Sequence, residues 1–369
     1  MGEVRRLPAS NGRRRPIEPW TIPVRVAVVG LGYWGPNLVR ALYELPEADL
    51  GGVCDLDSRR LDLIHRRYPG LATTTRFEQL LEDRTIEAIV IATPISTHYE
   101  LAAQALRAGK HVFVEKPPAM RAAEMEELCG LASDGGLVLM PGHTFLYSPP
   151  VNVVRDLIAR GQLGSIYFIS TSRVNLGIHQ SDTSVMWDLG PHDFSILRYW
   201  LGEVPSHVTA LGRGCVMPDT PDVAFINLEF GSTAIAHVEL SWLAPSKLRR
   251  TTVVGSRKMV VYDDTSNEPV RIFDSGASIP DPESFGEYTL TYRTGDIVSP
   301  RVDAIEPLVA EMADLCGSIR ARRRPRSSSQ LGVDVVRMVE AADASLALGG
   351  MRVAVEDDMR PHPDVVTSR

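Results

Sequence analysis

The sequence predicts an α/β protein with an N-terminal Rossmann parallel sheet and a C-terminal α/β domain carrying a large, mostly antiparallel open sheet. Three observations carry this. From Val24 to Gly142, short apolar runs alternate with helical stretches of roughly 10–15 residues, the pattern of a parallel sheet. A G-x-G-x-x-G motif stands at the first strand-to-helix junction. Beyond Phe145, long β-rich segments succeed one another without crossover helices, which requires antiparallel pairing. With 369 residues, 44% hydrophobic and 23% charged, the chain has ample apolar surface for two cores. The boundaries fall at residues 1–21 (a basic arm), 22–145 (a dinucleotide-binding domain) and 146–369 (a substrate-binding and oligomerisation domain).

The elements follow in order. VRVAVVG (Val24–Gly30) is a continuous buried strand, and Pro36–Glu44 is helical with Leu38, Val39 and Leu42 on one face. Ala48–Asp55 is a second strand, and Asp57–Tyr68 a helix. Thr75 with Glu78 makes a capping-box pattern before FEQLLED, and Thr97 with Glu100 repeats it. Between them lies the strand Ile86–Ala92. The helix after Thr97 stops at Gly109. HVFVEKP is a strand, Met120–Ser133 a helix and Leu137–Gly142 the last strand of this half. A helix over Val151–Arg160 leads into IYFISTSRVNL, and a short helix follows Pro191. Strands are expected at His207–Val216, Ala224–Phe230, Thr233–Leu243, Thr251–Asp263 and Val270–Phe273, with a hairpin turn at Gly231-Ser232. Ser275–Arg301 reads as loops, and helices near Pro307–Arg320 and Gly332–Leu348 close the chain, free to pack back on the first domain. The five arginines of Arg320–Arg326 read as a solvated loop between those helices.

Charge and cysteines narrow the function. The net charge is −7, which does not draw the fold to nucleic acid. The first 20 residues oppose this, with five Arg against Glu3 and Glu18, and lack the apolar stretch of a secretory signal. No apolar run approaches the roughly 18 residues of a membrane span. Cys54, Cys129, Cys215 and Cys316 are widely spaced, so neither a disulfide framework nor a zinc finger is expected, and the natural compartment is the reducing cytoplasm.

Gly30-Leu31-Gly32-Tyr33-Trp34-Gly35 follows a buried strand and opens a helix, the context that turns G-x-G-x-x-G into a dinucleotide site. Gly30 permits the tight turn, Gly32 admits a pyrophosphate and Gly35 lets the helix pack closely. Tyr33 and Trp34 lie in the same loop, and the helix start offers N–H groups to phosphates. Asp55, at the end of the second strand, stands where an acid bonds the adenosine ribose; its charge repels a 2′-phosphate and favours NAD over NADP. Ser58, Arg59 and Arg60 just beyond read as a helix start with solvated arginines. Thr93-Pro94 and His98 stand at the carboxyl edge of the sheet, as does Glu115-Lys116-Pro117. In Trp187-Asp188-Leu189-Gly190-Pro191-His192-Asp193, Pro191 suits a first helical position, so His192 falls in a first turn whose positive end keeps it neutral and fit to act as a base. Asp188 orients that ring or meets substrate. A third partner for a metal is missing, so no metal is expected.

This ordered set resembles the glucose–fructose oxidoreductase/inositol dehydrogenase (Gfo/Idh/MocA-type) family, over about Val24–Gly350. The resemblance implies an open antiparallel sheet buried against another subunit, hence a homodimer or homotetramer. It implies Lys116 as the catalytic lysine and His192 as the acid/base. Asp188 would then line the substrate site, and Glu115 and Thr93 would lie beside the nicotinamide ribose, in the cofactor group with Pro94 and His98. Many members carry an Arg after the strand matching Leu137–Gly142; here the run is His143-Thr144-Phe145-Leu146-Tyr147. That variant and GYWGPNLVR look closest to members acting on sugar nucleotides in sugar or antibiotic biosynthesis. His143 and Tyr147 either touch substrate or pack. The expected activity is hydride transfer between nicotinamide and a secondary alcohol or ketone of a sugar, sugar nucleotide or cyclitol. The alternatives are transient use of NAD for elimination or hydrolysis, and a non-catalytic sensor of NAD or sugar.

Overall fold

The computed structural model describes residues 22–355, apart from 178, 180–182, 232–233 and 279–290; the N-terminal arm and Ser232 of the expected hairpin turn lie outside the described residues. The first half runs β1 (Val24–Val29), α1 (Gly35–Glu44), β2 (Ala48–Cys54), α2 (Ser58–Arg67), β3 (Thr73–Thr74), α3 (Phe77–Glu82), β4 (Ala88–Ile91), α4 (His98–Arg107), β5 (His111–Glu115), α5 (Ala122–Asp134) and β6 (Leu139–Gly142). Its strands form one six-stranded sheet in the order β3-β2-β1-β4-β5-β6, parallel throughout. The order reverses between β1 and β4. Ligands of such sheets bind outside the carboxyl ends at this switch point.

The second half runs α6 (Pro149–Ala159), β7 (Ile166–Leu176), α7 (Val185–Leu201), β8 (His207–Arg213), β9 (Val223–Phe230), β10 (Ala234–Ser241), β11 (Leu243–Gly255), β12 (Met259–Asp263), β13 (Val270–Ser278), β14 (Thr291–Val298), α8 (Pro307–Ala321), α9 (Ser329–Ala347) and β15 (Val353–Ala354). Its nine strands lie in the order β14-β13-β12-β11-β7-β10-β9-β8-β15. All pairs are antiparallel except β7 with β10. Alternation divides its faces. Ala224, Ile226, Leu228 and Phe230 of β9 point inward with Ala236, Val238 and Leu240 of β10, while Phe225 and Ile235 face outward and are exposed.

One apolar cluster joins the halves. It runs from Val26, Val28 and Phe113 of the parallel sheet through Leu146 and Tyr147 to Trp187, Phe194 and the inner face of the nine-stranded sheet. Helices α8 and α9 follow β14 in sequence; α8 packs on α1 of the first half, and α9 lies between the halves, against α7 and β8 as well as α5 and β6. No helix among the described residues is long and apolar enough to cross a membrane.

Several local expectations are corrected. Thr75 caps nothing: α3 starts after Arg76, and Thr74 Oγ1 accepts from Arg76 N at 3.0 Å. At α4 the Thr97 hydroxyl lies 2.7 Å from both Thr93 Oγ1 and Pro94 O, and Glu100 accepts from Gln104 instead of closing a box. Thr251–Asp263 is two strands, split after Gly255. Ser275–Arg301 is not all loop, because β13 extends to Ser278 and β14 pairs with it. The arginine run lies in an exposed loop between α8 and α9, with Arg320 at the end of α8, and Arg320, Arg323 and Arg326 also have partners. Arg320 pairs with Glu87 and donates to the carbonyls of Ile22 and Pro23, Arg323 pairs with Asp314, and Arg326 donates to Leu146 O and lies over the Tyr147 ring. Finally, α7 begins at Val185, so Pro191 sits inside the helix.

Candidate active site

The glycine turn leaves β1 at the switch point. Gly30 has φ +93°, and a Cβ there would lie 2.5 Å from Ala92 O; a Cβ on Gly35 would lie 2.0 Å from Gly30 O. Both positions therefore require glycine. At Gly32 the nearest atom to an added Cβ would be Arg60 Nη1 at 3.9 Å, so this backbone faces open space. The start of α1 has no side-chain cap, which leaves its N–H groups for an anion. Tyr33 is 92% exposed and Trp34 is partly exposed. Asp55 is buried behind the turn: its Oδ2 accepts from Leu31 N at 2.7 Å, and its Oδ1 from Asp57 N at 2.8 Å. Arg60 is drawn back onto Asp55 at 3.4 Å, whereas Arg59 pairs with Asp57 at the surface. An acid bonded to the turn, an uncapped helix start and an open Gly32 together suit a dinucleotide.

Lys116 follows β5 at the same edge. Its Nζ donates to Asp188 O at 2.7 Å and Asp188 Oδ1 at 3.1 Å, and Trp242 Nε1 donates to Asp188 Oδ2 at 3.1 Å. Asp188 lies in the first turn of α7, and His192 four residues on shares its helical face. The tie between Lys116 and Asp188 thus brings a residue of the first sheet to the helix of the second half.

The neutral state of His192 has a different cause from the one its sequence suggested. It lies beyond the first turn of α7, out of reach of the dipole at that end. Burial lowers its pKa well below the usual imidazole value, and the charges of Lys116, Arg173 and Arg249 add to this. Arg173 makes an ion pair with Asp193 at 2.6 Å, the two side chains 5% and 3% exposed. Its guanidinium lies 4.5 Å from the Phe145 ring centre, and Phe145 meets His192 edge-on at 5.1 Å.

Glu115, the last residue of β5, is buried. Burial pushes its carboxyl up to about 7, although Lys116 and a hydrogen bond from the Trp34 side chain pull the other way. Glu311 of α8 is fully buried. Its Oε2 accepts from Thr144 Oγ1 at 2.7 Å, and burial, with the neighbouring Glu115 charge, raises its pKa well above the carboxylate range. His143 is also buried; among the described residues neither ring nitrogen has a hydrogen-bond partner, and burial lowers it to about 3, with Lys116 adding to the effect.

Two expected contacts are turned inward. The Tyr147 hydroxyl donates to Asp314 and accepts from Ser327 N, so its polar capacity is used in joining α8 to the chain before α9. His98 places Nδ1 2.8 Å from Pro117 O and Nε2 2.8 Å from Thr93 O, which occupies both nitrogens with backbone. Thr93 and Pro94 lie at the carboxyl edge as expected, with the Thr93 hydroxyl bonded to Thr97. Trp242, Arg173, Phe145 and Glu311 were missed by sequence reasoning. Phe145 stands inside the run His143–Tyr147, where only its neighbours drew attention; the other three stand in no motif and are brought in by packing. Among the described residues no group of three His, Cys, Asp or Glu is placed to hold a metal.

A glycine turn at the switch point of a parallel sheet, facing a lysine and a helix carrying Asp and His, defines a two-domain nicotinamide-dependent oxidoreductase. Residues 24–143 match the oxidoreductase family with an NAD-binding Rossmann fold, and residues 151–261 match the GFO/IDH/MocA C-terminal domain. The chain belongs to the Gfo/Idh/MocA oxidoreductase family. It is 28% identical over 278 residues to scyllo-inositol 2-dehydrogenase (NAD(+)) of Bacillus subtilis, covering 70% of this chain and 80% of that one. It is 24% identical over 322 residues to UDP-N-acetylglucosamine 3-dehydrogenase of Acidithiobacillus ferrooxidans, covering 85% and 98%. The structure of GenD2 from gentamicin A biosynthesis, in complex with NAD, superposes with a TM-score of 0.78 at 26% identity, covering 96% of this chain and all of that one. The chain is an NAD-binding oxidoreductase whose relatives include sugar, sugar-nucleotide and cyclitol dehydrogenases.

Proposed function

We propose that this chain is an NAD-dependent dehydrogenase or ketoreductase acting on a secondary alcohol or ketone of a sugar, sugar nucleotide or cyclitol. The observation that carries the reading is the Lys116–Asp188 contact, which joins the lysine at the carboxyl edge to the helix that carries His192, whose imidazole feels the Lys116 charge. The substrates named for the relatives support the substrate class. Gly30, Gly32, Gly35 and the start of α1 would hold the phosphates of NAD, and Asp55 its adenosine ribose; Thr93, Pro94 and Glu115 would lie on the nicotinamide side. NAD, when bound, supplies the hydride acceptor or donor. Nδ1 of His192 is enclosed, so Nε2 takes the hydroxyl proton during oxidation and returns it during reduction. Lys116 holds the substrate oxygen and stabilises negative charge as it develops there. Asp188 aims the ammonium and is itself fixed by Trp242. His143, buried beside Lys116, is positioned to shape the substrate end of the cleft.

The test follows NAD reduction spectrophotometrically with a panel of cyclitols, free sugars and sugar nucleotides. Turnover with one class, lost in Lys116→Ala, is the expected result. NAD binding without net reduction by any secondary alcohol overturns it and moves the protein to transient NAD chemistry or sensing. The outward face of the nine-stranded sheet exposes Phe168, Leu211, Phe225 and Ile235 on adjacent strands. This supports a homodimer or homotetramer closed through that face, which sedimentation measures directly.

A further inference from the structure

We propose that His98 is a positioning residue for Lys116, yoking the loop after β4 to the loop after β5 through its two ring nitrogens. The inference rests on the dehydrogenase reading only for its kinetic readout. The ring is 1% exposed at the start of α4. Its Nδ1 lies 2.8 Å from the carbonyl of Pro117, the residue next to Lys116, and its Nε2 lies 2.8 Å from the carbonyl of Thr93. Both partners are acceptors and both belong to carboxyl-edge loops, one bearing the ammonium and the other bordering the cofactor cleft. Side chains that bond two backbone segments fix their spacing more tightly than apolar packing does, because hydrogen-bond strength falls steeply with misalignment.

The ring is enclosed, and burial lowers its pKa. A neutral imidazole has one N–H and cannot donate to both carbonyls at once. The ring therefore donates to one carbonyl at a time, to Pro117 O in the Nδ1–H tautomer and to Thr93 O in the Nε2–H tautomer, so one side chain serves both loops in alternation. The first loop has an additional tie, since the Thr97 hydroxyl reaches Thr93 Oγ1 and Pro94 O. The Pro117 side depends more heavily on His98. Loss of the ring should therefore release Lys116 before it releases the cofactor edge.

Two near-isosteric variants separate the arms. The amide nitrogen of Asn overlies Nδ1 and can keep the bond to Pro117 O; that of Gln overlies Nε2 and can keep the bond to Thr93 O. Misplacement of a positioned group by about 1 Å costs roughly 10²-fold in rate, so His98→Ala and His98→Gln should each lose on that order in kcat, with KM for NAD within a few fold. His98→Asn should recover most of the loss. A second readout needs no turnover: acylation of Lys116 by an amine-reactive ester, followed by peptide mass spectrometry. Labelling should accelerate in the Ala and Gln variants and stay near the wild-type rate in Asn. Equal effects of Asn and Gln on both readouts would overturn the proposal and leave His98 as packing. Loss of NAD affinity in all three would instead make it a cofactor contact. If wild-type protein turns over no alcohol, the dehydrogenase reading fails, while the labelling contrast still decides the role of His98.

Discussion

The carboxyl edge of the six-stranded sheet and the inner side of the nine-stranded sheet contribute to one cleft in different ways. The first supplies loops at one edge: the glycine turn, Asp55, Thr93-Pro94 and Lys116 each follow a strand of the sheet directly, with Asp55 on one side of the glycine turn and the other two on the opposite side. The second supplies Asp188 and His192 from a helix, then conditions them with Trp242 after β10, Arg173 of β7 and Phe145 from before α6. The first region is a set of local backbone solutions. The second is an electrostatic environment that exists only after packing. A substitution in the first should act on binding or on one chemical group, whereas a substitution in the second should act on stability and on the protonation of a neighbour.

The strongest way to break this comparison is to remove the two groups that face each other across it. Lys116→Ala and His192→Ala should each lower turnover by roughly 10²–10⁴-fold, with NAD affinity within a few fold, because the glycine turn and Asp55 are untouched. Steady-state rates and a cofactor titration on each variant check this. Near-wild-type turnover in either would remove that residue from the chemistry. The two should also be coupled. Lys116 is among the cations that hold His192 below its usual range, so Lys116→Met should raise the His192 titration point, as followed by NMR of the ring.

The next effect belongs to the second region. Arg173 and Asp193 are almost fully enclosed, and Thr171 adds a 2.9 Å hydrogen bond to Asp193. Arg173→Met leaves a buried carboxylate unpaired, which should cost about 3–5 kcal/mol in denaturant unfolding. The double variant with Asp193→Leu should recover much of that loss. A single and double variant of equal stability would show that the pair contributes nothing by being matched. In the first region, Asp55→Asn keeps an oxygen for Leu31 N–H but removes the charge. NAD should weaken by roughly tenfold, the size of a charge-assisted hydrogen bond, and NADP should gain. Paired titrations of wild type and variant read the change in preference.

The same comparison explains what could be read from the sequence. Gly30–Gly35, Asp55 and Lys116 were legible because each needs only its strand and the following turn. His192 was legible as a residue but not in its setting. The pattern Pro191-His192 looks like a helix start, yet Val185–Gly190 is already helical and the chain carries Pro191 inside α7. The cause of its neutrality therefore moved from the helix dipole to burial among cations brought from distant elements. Thr75 failed as a capping residue because Thr74 takes the Arg76 N–H, and Thr97 because its own hydroxyl is turned back to Pro94 O and Thr93 Oγ1. The strands Val270–Ser278 and Thr291–Val298 were only partly visible. Polar residues dominate their paired stretch, and the pair lies at the sheet edge, where no buried face imposes alternation.

The smallest expected effect concerns Glu115, where the two regions touch through Glu311. Burial raises the Glu115 carboxyl from 4.5 to about 7, so the folded state holds this proton more tightly than the unfolded chain does. Such a group contributes stability that is fully present below the unfolded value and is lost as pH rises through the folded one. The window runs from about 4.5 to about 7. The histidines His98, His143 and His192 act in the opposite sense. Their folded values are lowered, so their contribution is present above the usual imidazole value and falls away on acidification. The wild-type profile alone mixes these signs. The difference between wild type and Glu115→Gln isolates the carboxyl, because the amide keeps the shape and does not titrate. At pH 5 the two proteins should have similar unfolding midpoints. At pH 8 the variant should be the more stable, since the wild type must then hold a charged carboxylate in an enclosed site close to Glu311. Thermal unfolding of both across that range measures the gap, and a gap independent of pH would place Glu115 in a hydrated environment and leave the two carboxyl groups uncoupled.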